Sequence, residues 1–517
     1  MPDIRKIPAT MATQHPDNAT MPDWAEGRII EGEKEIEEAY LAYSKYGCRE
    51  VMWDAEGKDV DMQVLRKFFS IYGDFFKKNR IGHDIFLTYR IPNPMAESVE
   101  KKNFSEMLET IPKFNDVYRA FYGKDVPFME VILPLTRSSD DLLRVHNYYK
   151  TVVADKEKVD IGGITVAKWL GTIDPKSIEV IPLFEDMGSL LSAGQIIGKY
   201  IDSVRPRYMR VFVARSDPAL NYSMISAVLL AKLAISSFKD VEEKYGIPIY
   251  PIIGAGSLPF RGHLSPDNIY HFLEEYPGLD TVTIQSAYRY DYPDPSRSIG
   301  ELNSMIPYSL KKPMDADAAA ELVKIIRHVS DSYQRRVESM AGLINQISLY
   351  VPRRRARKLH IGLFGYSRRM GRVKLPRAIT FVAALYSIGL PPEILGLDAV
   401  LQLKEASFNI LKEYYVNYKK DLEMACKYLN PALLDDLQEA QLYNGIVRRY
   451  SLRNMMDMVK RDMDALDALG IRVGPSTNEE RRHLNLTKNL LISIVDGQSE
   501  MAGREISAMG MLRRSLG

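Results

Sequence analysis

Eight short apolar runs recur along the first 290 or so residues, at positions 7–17, 50–58, 84–92, 127–138, 178–186, 209–217, 249–256 and 281–289. Nearly all of them end in a polar or charged cluster, and a helix-like stretch follows. Apolar runs of this length separated by helical patterns predict parallel strands joined by crossovers, and eight is the number that closes a (β/α)8 TIM-type barrel. Barrel chemistry sits at the carboxyl ends of the strands, so the polar clusters are candidate site residues before any motif is considered.

The intervening segments agree with an α/β chain. Ile36, Ala39, Tyr40 and Tyr43 lie at helical spacing after the first run, as do Val64, Phe68 and Tyr72 after the second. The stretch from Met224 to Phe238 is apolar almost all round, which predicts a helix wedged between the barrel and further protein. The first run is the weakest strand, being short and interrupted by Pro8.

With 517 residues the chain exceeds one barrel of about 250 residues, so two parts are expected. A barrel is assigned to residues 1–295 and an all-helical region to 296–517. The segment YDYPDPSRSIGELNSMIP, rich in Pro, Asp and Ser, is read as the boundary loop. From Asp315 onward the pattern is helical, with Leu322, Ile325, Ile326 and Val329 on one face. Helical periodicity then fails at about 352–380, a loop dense in arginine: Arg353, Arg354, Arg355, Arg357, Arg368, Arg369, Arg372 and Arg377.

Composition narrows the class. Apolar residues make up 46% and charged residues 26%, the balance of a soluble protein with a sizeable core. No uncharged run of about 18 apolar residues predicts a membrane span, and MPDIRKIPAT lacks the apolar core of a secretory signal. Cys48 and Cys426 are too few for a disulfide framework or a thiolate zinc site, and no HExxH occurs. These features point to the cytoplasm. A net charge of +2 argues against a global nucleic-acid or membrane role.

Two runs end in acids: Glu185 and Asp186 after one, Asp217 after the next. Carboxylates on neighbouring strand ends converge at the barrel mouth and suit a Mg2+ or Mn2+ ion that keeps positions open for substrate and water. The competing reading is that they cap the following helices or pair with arginines. Arg90, Arg137, Arg215, Arg261 and Arg289 stand at or just past strand ends. Guanidinium forks match phosphate and carboxylate oxygens, so this ring suggests a small, highly anionic substrate held with a divalent metal. His15, at the first strand end, is a candidate proton-transfer group, as is His263; His83, His146, His271 and His328 fall in or beside helices and read as packing or solvated residues. GAGSLPFRG lets backbone N–H groups approach an anion beside Arg261, but no phosphate loop GxxxxGK[ST] and no GxSxG elbow are present.

TQHPDNA, VIPLFED, ARSDPAL, GSLPFRG, FGYSRRMG, LPRAITF followed by LYSIGLPPEILG, and the ending GMLRRSLG together resemble the archaeal-type phosphoenolpyruvate carboxylases. The resemblance spans both ends of the chain and most blocks between, and TQHPDNA and LPRAI are its most specific parts. It implies a barrel with extra helices, a homotetramer, and carboxylation of phosphoenolpyruvate by bicarbonate to oxaloacetate and phosphate, through carboxyphosphate and a pyruvate enolate. By that resemblance Glu185 and Asp217 hold Mg2+ or Mn2+. His15, Arg261 and Arg377 are catalytic, and Arg137, Arg289, Arg368 and Arg369 bind substrate. His15 corresponds to the histidine of the TAHPT motif in the longer bacterial and plant enzymes. The longer enzymes also carry a loop richer in glycine and arginine than GAGSLPFRGHL, and the plant enzymes a regulatory phosphorylation extension with no counterpart in this N-terminus. Gly517, after Arg513 and Arg514, is expected either to bring a carboxylate near the site or to fray.

Two other readings compete with this one. A lyase or mutase of the phosphoenolpyruvate/pyruvate barrel group shares the metal acids but needs neither TQHPDNA nor the arginine-rich loop. A nucleic-acid-binding protein would use RRRARK as a backbone contact, but that stretch has no interleaved aromatics.

Overall fold

The computed structural model describes residues 6–97, 99, 101–307, 313–356, 368–370, 373–439 and 449–517. Its centre is a closed barrel of eight parallel strands in sequence order: β1 (Thr10–Ala12), β2 (Glu50–Asp54), β3 (Phe86–Arg90), β4 (Glu130–Leu133), β5 (Glu179–Phe184), β6 (Met209–Ala214), β7 (Ile249–Gly254) and β8 (Thr281–Ile284). β1 has only three residues because Pro8 precedes it and cannot donate to a ladder. It still closes the ring, pairing Met11 with Glu50 of β2 and with Thr283 of β8.

Strand alternation sets the layers inside the barrel. Met11, Met52, Ile132, Ile181, Leu183, Phe212 and Ile252 form an apolar cluster of their own. Two residues earlier on the same inward faces lie Glu50, Glu130 and Arg210, and Arg210 donates to Glu50 at 2.8 and 2.7 Å and to Glu130 at 3.0 Å. Thr88 joins that layer through Glu50. Two residues later, at the carboxyl ends, the inward positions are Asp54, Arg90, Glu185, Ala214 and Gly254. One periodicity therefore sets a sealed ionic base, an apolar plug and a polar mouth.

The helix Met224–Tyr245 is buried along most of its length, between the barrel and the 33-residue helix Ala316–Ser348. Ser226 and Ser330 bond across that contact, oxygen to oxygen, at 3.0 Å. The long helix starts at Asp315, whose side chain accepts from the N–H groups of Asp317 and Ala318, and it buries Leu322, Ile325, Ile326 and Val329 as expected. The expected boundary loop is in large part a helix, Pro295–Met305. Proline is compatible with the first helical position, and Ile299 and Leu302, spaced by three, bury one face. The arginine-rich segment includes a hairpin, Arg368–Met370 against Val373–Leu375, and Arg357 and Arg372 lie outside the described residues. Helices Asn478–Val495 and Ser499–Arg513 follow. Arg514, in the left-handed conformation, then turns Ser515–Gly517 back into the protein, where all three are buried. Among the described residues no single helix is long and apolar enough to cross a membrane.

Candidate active site

A cavity of about 270 Å3 opens at the carboxyl ends of the strands. Leu183 and Phe212 of the apolar plug form its floor, and His15, Arg90, Glu185, Arg215, Asp217 and Arg261 contribute polar walls. The helical region closes it with residues 351–355, Arg377 and the first turn of the helix Ala378–Ser387, and Leu516 reaches in from the tail. That first turn lines the same space, and a helix N-terminus carries a partial positive charge that favours an anion.

Glu185 and Asp217 both line the cavity. Glu185 accepts from the Leu135 N–H at 2.7 Å, and Leu135 takes a left-handed φ of 53°. Asp217 lies in the first turn of the helix Ser216–Tyr222, directly after β6. Asp186 instead caps the helix Met187–Leu191, accepting from Ser189 N–H at 2.9 Å. No group of three or more His, Cys, Asp or Glu side chains suited to one ion occurs among the described residues. Two carboxylates lining one cavity fit a hard divalent cation that completes its shell with water and substrate oxygens.

His15 sits with Nδ1 3.0 Å from Thr13 Oγ1. Burial, and then the charge of Arg90, hold its pKa well below the ordinary histidine value, against the opposing pull of Asp54. The ring is therefore neutral near pH 7.

The arginines differ in what they already hold. Arg90 is paired with Asp54 at 2.7 and 2.6 Å and with Glu56 at 3.0 Å. Burial opposes the charge on Asp54, but Arg90 outweighs it and keeps that carboxyl below its usual range. Arg261, 1% exposed, donates to Ser216 Oγ, Asp17 Oδ2, the Gly517 main-chain oxygen and Gln285 Oε1 at 3.1, 2.9, 2.5 and 2.5 Å. Its turn is held from the helical region: Glu393 accepts from Phe260 N–H at 2.9 Å, and His263, outside the cavity, bonds Asp421 through Nδ1 at 2.5 Å. Arg354 donates to the Asn18 and Ala19 carbonyls, and Arg355 pairs with Glu35 and Glu38, so these two fasten the segment to the barrel. Arg353 is exposed at the cavity wall.

Two expected substrate ligands do not reach the cavity. Arg137 has a side chain 73% exposed and faces Asp186 at 3.5 Å. Arg289 is buried one layer back, where it donates to the Thr13 carbonyl at 2.8 Å and to Glu38 at 3.1 Å, and so supports the strand end that carries His15. For Arg368 and Arg369 the hairpin backbone alone is described. Asp17, which sequence reasoning left without a role, is fully buried and accepts from Ala287 N–H, Ser286 Oγ and Arg261. Gly517 lies where a Cβ would stand 2.1 Å from the Ile379 carbonyl oxygen.

A family model described as phosphoenolpyruvate carboxylase matches residues 7–517. The phosphoenolpyruvate carboxylase of Metallosphaera sedula is 47% identical over 99% of this chain and all of its own length. That of Caldivirga maquilingensis is 45% identical over the same shares, and that of Methanothermobacter thermautotrophicus is 48% identical over 82% of this chain and 88% of its own. The chain belongs to the phosphoenolpyruvate carboxylase family.

Proposed function

We propose that the cavity at the barrel mouth is where this chain carries out the reaction of its family, and that it does so through carboxyphosphate. The activity is carboxylation of phosphoenolpyruvate with bicarbonate to oxaloacetate and phosphate, an anaplerotic, carbon-fixing reaction of a carbon–carbon lyase. The observation that carries the reading is the meeting of Glu185, Asp217 and His15 with arginines in one cavity of a chain matched over almost its whole length.

The family uses a divalent metal, here assigned as Mg2+ or Mn2+ on Glu185 and Asp217, and when bound it supplies charge stabilisation for the enolate oxygen. Bicarbonate attacks phosphorus in line, giving carboxyphosphate and the enolate of pyruvate. Arg377, the adjoining helix N-terminus and the hairpin arginines Arg368 and Arg369 hold the phosphoryl group. Arg261 keeps the barrel mouth, Asp17 and the tail in register. His15, neutral as the reaction begins, takes the carboxyphosphate proton as that intermediate breaks down to carbon dioxide and phosphate. The enolate carbon then captures carbon dioxide in the space closed by residues 351–355 and Leu516, where exclusion of water prevents protonation to pyruvate. The active form is assigned as a homotetramer in the cytoplasm, with its barrel unit ending near residue 295.

Bicarbonate labelled with 18O at all three positions tests this route. Carboxyphosphate requires one label in phosphate and two in the new carboxyl group; phosphate without label refutes it.

A further inference from the structure

We propose that Arg215 is a substrate-binding residue, whose two terminal nitrogens take a pair of oxygens from an anionic group of phosphoenolpyruvate. Arg215 follows β6, two residues before Asp217, and lines the same cavity as Glu185 and Asp217. It is 0% exposed, and among the described residues neither Nη1 nor Nη2 has a hydrogen-bond partner.

That state separates it from the other fully buried arginines. Arg210 is matched by Glu50 and Glu130, Arg261 by Asp17 and three further oxygens, and Arg336 by Asp462 and Asp398. Arg513 donates to His483 and the Leu516 carbonyl. A buried charge without a counter-charge is costly, and one set in the wall of a cavity is relieved when an anion enters beside it.

The side chain is also oriented in advance. Its Nε donates to Tyr276 Oη at 2.7 Å, and the guanidinium carbon lies 6.0 Å from the centre of that ring. Tyr276 is itself 1% exposed, so the plane of the fork is fixed and its Nη edge is left for a two-oxygen group, which a phosphoryl and a carboxylate both offer. Arg261, by contrast, already holds four oxygens. Of the two, Arg215 is the one with both terminal nitrogens unengaged.

The inference rests on the carboxylase reading, and the test separates the two. Arg215→Met and Arg215→Lys are compared with wild type for oxaloacetate formation, for thermal unfolding without ligands, and for binding of inorganic phosphate and of malonate by calorimetry. The expected result is a KM for phosphoenolpyruvate raised about 30-fold or more in Arg215→Met, the scale of removing one side of a buried charge pair. Arg215→Lys, which keeps charge but not the fork, shows a smaller rise. Arg215→Met unfolds at or above the wild-type temperature, because an unmatched buried charge is gone; a structural strut would lower it. Loss of phosphate affinity assigns the phosphoryl group and loss of malonate affinity the carboxylate. Unchanged KM and unchanged affinity for both anions in a folded variant overturn the inference, as does a rise confined to bicarbonate. Should Arg215→Met unfold early, Arg215→Lys decides: wild-type melting with a raised KM supports the assignment, and a wild-type KM overturns it. A wild type that does not turn over phosphoenolpyruvate with any divalent metal defeats the carboxylase reading instead.

Discussion

Replacing Gly517 with alanine isolates what the tail does. The new Cβ would lie 2.1 Å from the Ile379 carbonyl oxygen and 2.8 Å from the Ala383 nitrogen, both backbone atoms of the helix Ala378–Ser387. A helix backbone cannot yield that distance, so the tail must lift. Lifting breaks the 2.5 Å bond from Arg261 to the Gly517 main-chain oxygen and the 2.7 Å bond from Leu516 N–H to the Asp17 carbonyl, and it exposes Leu516, now 1% exposed. Exposing a leucine costs about 1.5–3 kcal/mol and losing a bond from a charged donor about 1.5–3 kcal/mol; with water recovering part of this, about 2–4 kcal/mol remains. Because the tail can detach locally, and because a chain of this length shifts its Tm by only about 1 °C per kcal/mol, melting is a poor readout. Amide hydrogen exchange is a direct one. Protection of the Leu516 amide should fall about 30- to 900-fold, with a matching drop in kcat/KM for phosphoenolpyruvate as Arg261 loses an acceptor and the cavity a wall. Unchanged Leu516 protection with unchanged turnover would refute the reasoning.

Two further outcomes follow from the buried titrating groups. Burial pushes the Glu393 carboxyl up to about 7, so the folded protein holds this proton over the range between the ordinary carboxylate value and about pH 7, where the unfolded chain has released it. Stability contributed by that proton is present at low pH and is lost as pH rises towards and beyond 7; Glu393→Gln should flatten its share of the decline in denaturant midpoint between pH 5 and 8, and an unaltered slope contradicts this. His15 should titrate below the ordinary histidine value. The measurement is the imidazole resonance that disappears in His15→Gln, and a midpoint at or above 6.5 would show that burial and Arg90 do not govern the ring.

The barrel was legible because its strands follow two periods at once, strand–helix alternation along the chain and inward–outward alternation within each strand. Counting in twos from Phe212 and Leu183 leads to Ala214 and Glu185 at the mouth, and Glu185, Asp217, His15, Arg261 and Arg377 do meet there. The same count fails once a turn interrupts the strand. Leu135 reverses the backbone before Arg137, and Arg289 lies on the short helix Ser286–Tyr290 with Glu38 as its partner, so standing near a strand end did not bring either to the cavity. How far an arginine is already satisfied is a tertiary property: Arg215 and Arg261 look alike in sequence and hold one and four oxygens in the structure. Nothing in SLG foretells that Gly517 packs against a helix backbone 138 residues away in sequence from Ile379. The helix Pro295–Met305 was missed because Pro, Asp and Ser, which signal loops, also start helices.

Glu185 and Asp217 are proposed to hold the divalent metal on which carboxylation depends. The most direct measurement is oxaloacetate formation from phosphoenolpyruvate and bicarbonate, coupled to malate dehydrogenase, with Mg2+ present or chelated, for wild type and Asp217→Asn. Product that needs the metal and disappears in a folded Asp217→Asn is the predicted result. Turnover that survives chelation, or full activity in Asp217→Asn, would contradict the account.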